Sequence, residues 1–504
     1  MPKGDSEKRK EVFEMKMYLK LIAAFIALLM LATSFISCSL LDDSTEENED
    51  ESKETVSEAI PENIEKNNYN KEFYLSVLPD TNPIDYYWVE KSEGDAMSEA
   101  VYARQEKIYK DLGVEIIGKS AGSYRDYAPT FKTAVMNKDG SVDTILTHVS
   151  TAVASFVSEM YLQNIEDVPG VDLDQDYWNR DFMDSISIAD NYFLGFSNFN
   201  ILYTYVIAFN KDMMDQYAGS MEKSVYELVE DYEWTLDEML ALAQLVSSDR
   251  TADGKTEDDT FGLTGQQWVP WIGFLHASNI NLVEMNEKGE YAISVMNSIN
   301  SEKTADLVQK LKDFSASKYG FFEFPSGSSI AQCRVPLTTG RTLMQLTSTY
   351  SLNSYLDYEI TFGVLPYPMY DTAQKDVGYR SLQWGGYIGV PSYLNDPQMV
   401  GETLELLAFY SDDVMITFYE KMLGKQVADV PEDRKMLDIV WASVCTDFGQ
   451  TYGEECSNIL YFLPHVTWPD GGKELVSYLA SFERTSNRSL MQFVKIVEKK
   501  AAAK

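Results

Sequence analysis

The sequence predicts an α/β protein built on parallel sheets and exported from the cytoplasm. Two observations carry this: strand and helix patterns alternate from residue 71 onward, and an apolar segment near the start ends at a lone cysteine. A third, the excess of 79 acidic over 42 basic residues, limits the partners such a protein can have.

In chain order, "KEFYLSVLPD" opens the folded part, with Phe73, Leu75 and Val77 alternating as in a strand before Pro79 and Asp80 end it. "AMSEAVYARQEKIYKDLG" then predicts a helix: Met97, Val101, Ile108 and Leu112 share one face, and Gly113 stands at the C-cap. "GVEIIG" is the next strand, the stretch near Tyr127 to Val135 a second helix, and "VDTILT" a third strand after Asp139-Gly140. Strand, helix, strand, helix, strand implies parallel pairing through right-handed crossovers. Farther on, Thr235 lies three residues before Glu238 in "YEWTLDEMLALAQLVSS", a capping box on a helix whose stripe holds Met239, Leu242 and Val246. "SEKTADLVQKLKDF" and "GETLELLAFYS" are further amphipathic helices, while "EITFGVLPYP" and "GGYIGVP" return to strands and turns. The terminal "VEKKAAAK" is predicted to fray.

Ahead of this lies an export signal. Lys16 and Lys20 precede an uncharged apolar run from Leu21 to Ile36, which is shorter than the roughly 20 residues a membrane-spanning helix needs. Ser37 and Cys38 follow, the pattern of a bacterial lipoprotein signal in which the Cys38 thiol takes a lipid and becomes the mature N-terminus; Phe35 stands where leucine is usual. Secretion with cleavage near Ser37 and a retained anchor helix are the alternatives. The nine carboxylates and one lysine between Asp42 and Glu58 predict a solvated tether. Without residues 1–37, which hold 6 basic and 4 acidic groups, 36 basic and 75 acidic groups remain, a net charge of −39 that repels nucleic acid.

Cysteines and histidines are sparse. Cys333, Cys445 and Cys456 lack CxxC spacing, and His148, His276 and His465 stand far apart, so neither a structural zinc site nor a disulfide framework is predicted; one Cys445 to Cys456 bridge stays open. Asp249, Thr251, Asp253 and Gly254 match half of an EF-hand loop, but Thr260 occupies the position of its bidentate glutamate, so an acidic turn is the reading. No cofactor is predicted. Gly-x-Ser-x-Gly, P-loop and His-Glu-x-x-His motifs are missing, so no enzyme is predicted; a glycosidase using two carboxylates is the competing class.

"WTLDEMLALAQLV", "DDTFGLTG", "FGVLPYPMYD" and "WGGYIGVPSYLNDPQMVGETLELLAFYSDD", with "VIAFNKDMM" before them, resemble in order and spacing the landmarks of carbohydrate-type extracellular solute-binding proteins of ABC importers. The resemblance spans about Phe73 to Phe482 and implies a two-lobed, type II periplasmic-binding-protein-like fold, each lobe a mostly parallel sheet flanked by helices and joined by a hinge. It also implies a chain division: signal peptide 1–37, lipidated cysteine and acidic linker 38–70, lobe one 71–200, lobe two 201–338, a return to lobe one over 339–386, lobe two with hinge-packing helices over 387–496, and a tail 497–504. The implied partners are an oligosaccharide, an ABC permease and the membrane through the lipid. The protein is read as a monomer. A peptide or polyamine in the same fold is the alternative ligand.

Carbohydrate recognition combines aromatic ring faces with hydroxyl and amide groups, and the chain holds 64 aromatic residues. Trp384, before Gly385-Gly386, is the foremost candidate. Trp268 and Trp271 in "TGQQWVPWIGF" either offer two rings to the cleft or start a helix packed in the core. Asp80, Asn82 and Trp88 follow the first strand, Thr147 ends the third, Asn198 and Tyr203 lie near the first crossing, and Ser348 and Tyr350 fall in "TSTYSLNS".

Overall fold

Phe73, Leu75 and Val77 point inward along β1 (Lys71–Val77) of the computed structural model, as their alternation requires. The structure describes residues 60–503 apart from 79–83, 123, 150, 251, 253, 296, 298, 299, 324–334, 428–430, 470 and 471. The signal segment, Cys38, the acidic tract, Asp80, Asn82 and Cys333 lie outside the described residues.

Asp95 caps α1 (Ala96–Leu112) by accepting the Met97 and Ser98 N–H groups. Gly113, at φ 64°, ends it in the left-handed conformation that glycine adopts without penalty. The chain continues through β2 (Val114–Ser120), α2 (Tyr124–Asn137) and β3 (Thr144–Thr147). β1 pairs in parallel with both β2 and β3.

Ser197 to Thr204 then carries the chain into a second sheet, beginning with β4 (Tyr205–Asn210). Thr235 caps α3 (Leu236–Val246) by accepting the Glu238 N–H. β5 (Phe261–Gln266), α4 (Val269–Ala277), the β6 (Val283–Met285) and β7 (Tyr291–Ile293) hairpin, α5 (Ser301–Ala316) and β8 (Gly320–Glu323) follow. β9 (Thr342–Ser348) and β10 (Phe362–Leu365) complete the sheet in the order β10-β4-β9-β5-β8, with β5 parallel to β8 and β9, and β4 antiparallel to β9 and β10.

Here the structure differs from the expected return to lobe one over 339–386. β9 lies between β4 and β5 with all seven residues buried, so it is the inner strand of the second sheet. The return comes after β11 (Ser381–Leu382), when β12 (Tyr387–Gly389) pairs antiparallel with β3 at the edge of the first sheet.

α6 (Pro397–Phe409) then packs on α1. α7 (Asp412–Val427) touches both α1 of the first lobe and β10 of the second, and α8 (Pro431–Ala442) returns to β10. β13 (Val444–Cys445) pairs with β11, and the long α9 (Leu475–Ala501) joins β7 to the short helix Val153–Ser158. The two-lobed α/β fold is therefore strapped by helices as well as by its crossings. Among the described residues no helix is long and apolar enough to cross a membrane.

Both ends of the described chain are better ordered by packing than their composition suggests. Residues 60–70, assigned to the linker, dock: Ile64 is buried, and the Asn67 and Tyr69 N–H groups donate to the Asp111 and Leu112 carbonyls at the C-terminus of α1. The predicted tail is helical to Ala501, because Leu490, Phe493, Val494 and Val497 continue an apolar stripe and Lys500 reaches the Ser158 carbonyl. Cys445 and Cys456 are buried free thiols.

Asp143, buried between the sheet and its solvent edge, accepts the Tyr74 N–H at 2.8 Å, and burial raises its carboxyl to about 6. A folded pKa above the unfolded value means that protonation favours the native state, so this residue's contribution is present near pH 4 and is lost as pH rises through about 6. Asp143→Asn keeps an acceptor for Tyr74 and removes the charge. Denaturant titrations should find the variant more stable than wild type by about 1–3 kcal/mol at pH 7.5 and equal to it near pH 4; the same difference at both pH values would contradict this assignment.

Candidate functional site

Parallel pairing brings the ends of several strands to one edge in each lobe. In the first, β3 ends at Thr147, which faces Tyr387 of the antiparallel β12, so the Trp384-Gly385-Gly386 turn lies beside His148. In the second, Tyr205 at the start of β4 faces Ser348 at the end of β9, and β5 runs parallel to β9 toward Gln266 and Trp268. These are the strand ends at which open α/β sheets hold ligands.

The two edges meet through a set of buried amides and hydroxyls. Thr204 and Gln383 form an antiparallel bridge, and the Trp384 N–H donates to the Tyr203 carbonyl at 3.0 Å. The Gln383 side chain accepts from Thr204 Oγ1 at 2.8 Å and donates to the Gly385 carbonyl at 2.7 Å, while Gln450 donates to the Gln383 carbonyl at 2.7 Å. Asn200 donates to the Gly386 carbonyl. Gly385 has no room for a side chain: a Cβ there would stand 2.3 Å from His148.

Aromatic rings line this junction. Trp384 is 5% exposed and meets the His148 ring edge to face at 5.9 Å. Tyr203 stacks on the half-buried Tyr350, with centroids 5.4 Å apart. The half-buried Trp268 stacks on Tyr461 at 4.4 Å and meets His465 edge on. Tyr205 is wholly buried at the start of β4, and its hydroxyl has no hydrogen-bond partner. Tyr86, in the single-turn helix Ile84–Tyr86 after β1, accepts a 2.8 Å bond from Asn353, which follows β9. That bond joins the two lobes directly.

The polar candidates are tied down locally. Thr147 shares a 2.6 Å contact with Thr151, and Ser348 Oγ lies 3.0 Å from Ser351 Oγ. Burial lowers the His148 imidazole to about 3, so it is neutral at physiological pH. Burial raises the Tyr86 and Tyr203 phenols to about 12. No residue of this group carries a charge at neutral pH.

Three predicted residues stand apart. Trp271 is fully buried, donates its indole N–H to Thr467 at 2.8 Å and packs edge on against Phe322, so it belongs to the second lobe's core. Trp88 donates to the Ile116 carbonyl at 2.6 Å and lies over Gly118 of β2, where a Cβ would meet its ring at 2.6 Å. Asn198 bonds Asp412 at the start of α7. Asp249 and Asp259 of the acidic turn accept backbone N–H groups from Ala252, Gly254, Arg250 and Thr256, which is how that loop closes.

Tyr86, His148, Tyr205, Asn353 and Tyr461 join the site without having been predicted. "IDYYWVE" and "LTHVS" placed Tyr86 and His148 beside predicted residues, and Asn353 lies within "TSTYSLNS"; Tyr461 has no local signal, since its partner Trp268 lies far away in sequence.

Residues 88–408 match the family model described as bacterial extracellular solute-binding protein. No curated protein sequence matches the chain. Among solved structures, the GacH receptor of Streptomyces glaucescens, determined unliganded and with acarbose, is 15% identical with a TM-score of 0.54; the match covers 83% of this chain and 98% of that one. The ABC substrate-binding protein Lmo0181 from Listeria monocytogenes, determined with cycloalternan, is 14% identical with a TM-score of 0.52 and the same coverage. At these identities the likeness establishes the fold.

A double-mutant cycle of Tyr86→Phe and Asn353→Ala tests the bond between the lobes. Urea unfolding should give a coupling energy of about 1 kcal/mol; additive effects would mean that the two side chains do not bond in solution.

Proposed function

The chain belongs to the bacterial extracellular solute-binding protein family, and on that premise we propose that it captures a neutral carbohydrate, an oligosaccharide, between its lobes and delivers it to an ABC permease. In this reading the lipid on Cys38 and the acidic tract hold a monomer at the outer face of the cell membrane.

The observation that carries the choice of ligand is the chemistry of the junction. The half-buried Tyr86, Trp268, Tyr350, Tyr461 and Asn353 stand beside the buried Trp384, Tyr203, Thr147 and Ser348, so the junction gathers rings, hydroxyls and an amide, none of them ionised. Ring faces stack on the C–H face of a pyranose, and neutral polar groups pair with its hydroxyls. A cationic peptide or polyamine would call for carboxylates here; the described residues gathered above supply none, and Asp80 lies outside them. Catalysis of glycoside cleavage would likewise need a carboxyl pair.

The mechanism is a shift between open and closed lobes. A ligand touching residues on both sides favours closure by its differential affinity, and the permease recognises the closed form. The crossings at Thr204 and Gln383 are the hinge, and Trp384, one residue beyond Gln383, couples the hinge to the ligand.

Calorimetry should find that the mature protein binds an oligosaccharide and that Trp384→Ala weakens the binding by more than about 1 kcal/mol; a polyamine that binds while every sugar fails would overturn the reading. With His148 neutral above about pH 3 and the Tyr86 and Tyr203 phenols protonated up to about 12, affinity should stay within twofold between pH 5.5 and 8.5. A steep change across that range would reveal an ionised group in contact with the ligand.

A further inference from the structure

Arg104 lies on the apolar stripe of α1, between Val101 and Ile108, and is 2% exposed. Among the described residues it is the one buried arginine or lysine. Its Nη1 donates to Ser411 Oγ at 2.9 Å and its Nη2 to the Tyr87 carbonyl at 2.7 Å, both neutral acceptors. The Nε has no hydrogen-bond partner, and among the described residues no carboxylate forms an ion pair with the group. Phe199 places its ring 4.8 Å from the guanidinium carbon, which eases the charge without neutralising it. Burial lowers the group only to about 9, so it remains charged at physiological pH.

A buried, unpaired charge costs several kcal/mol unless something compensates it. Beside Arg104 is a small cavity that Tyr86, Asn198, Phe199, Met415 and Phe418 also line. It leaves 10 Å³ for the centre of a water-sized sphere, room for one water or one ion of similar radius.

We propose that this cavity is a binding site for one small monovalent anion, with chloride as its occupant. Five N–H groups on a guanidinium give it donors to spare after two are used, and a halide accepts N–H bonds from several directions. The position matters mechanically, because α1 of the first lobe, the crossing at Phe199 and the bridging helix α7 all meet here. An anion in this place ties the three together. The net charge of −39 that remains without residues 1–37 repels anions from the surface at large, so a response at low chloride reports a specific site.

The test is thermal unfolding of the mature protein in sodium chloride against sodium gluconate at equal ionic strength, with crystals soaked in bromide. Chloride should raise the melting temperature by about 2–4 °C with saturation, and Arg104→Gln should abolish that difference. Anomalous scattering from the wild-type crystal should place one bromide in the cavity, a result that stands even where the variant fails to fold. Equal melting temperatures in the two salts, or a bromide map empty at Arg104 where a water is seen, would overturn the proposal.

Discussion

The structure depends on how two chain crossings are hydrogen-bonded where the sheets of both lobes end. Backbone groups there have lost their ladder partners and are shielded from water, so each one left unpaired would cost on the order of 1–3 kcal/mol. Gln383, Asn200, Thr204 and Gln450 supply the missing partners with neutral side chains. A network of this kind fixes which residues of the two crossings face one another.

The aromatic lining hangs on that junction. The Trp384 N–H is held by the Tyr203 carbonyl, and the Tyr203 ring in turn supports Tyr350. The close approach of His148 to Gly385 brings the end of β3 into the same assembly. A side chain at position 385 would push the two elements apart, so the glycine links backbone geometry to the shape of the site. The helices α7 and α9 each touch elements of both lobes.

The fold was legible where its cause is local. Apolar periodicity located α1 and the strands around it, and Gly113 ended the helix where the left-handed cap requires it. Pairing across long sequence separations was not legible: β9 became an inner strand because β4 and β5 flank it, and no pattern within its own seven residues says so. The same limit governs the site. Trp268 and Trp271 share one short motif, but Thr467 draws Trp271 into the core while Tyr461 holds Trp268 in a stack. Both partners lie some 190 to 200 residues away. Arg104 was not singled out in the sequence, although it stands between Val101 and Ile108 on the apolar stripe of α1; only its burial shows the local conflict.

In the proposed function an uncharged, ring-shaped solute is held by side chains from both lobes at the junction. The most direct measurement is a crystal structure of the mature protein with the oligosaccharide that binds it most tightly. The expected result is a sugar ring stacked on Trp384 or Tyr350, with residues of both lobes in contact. A ligand bound to one lobe alone, or outside the junction, would contradict it.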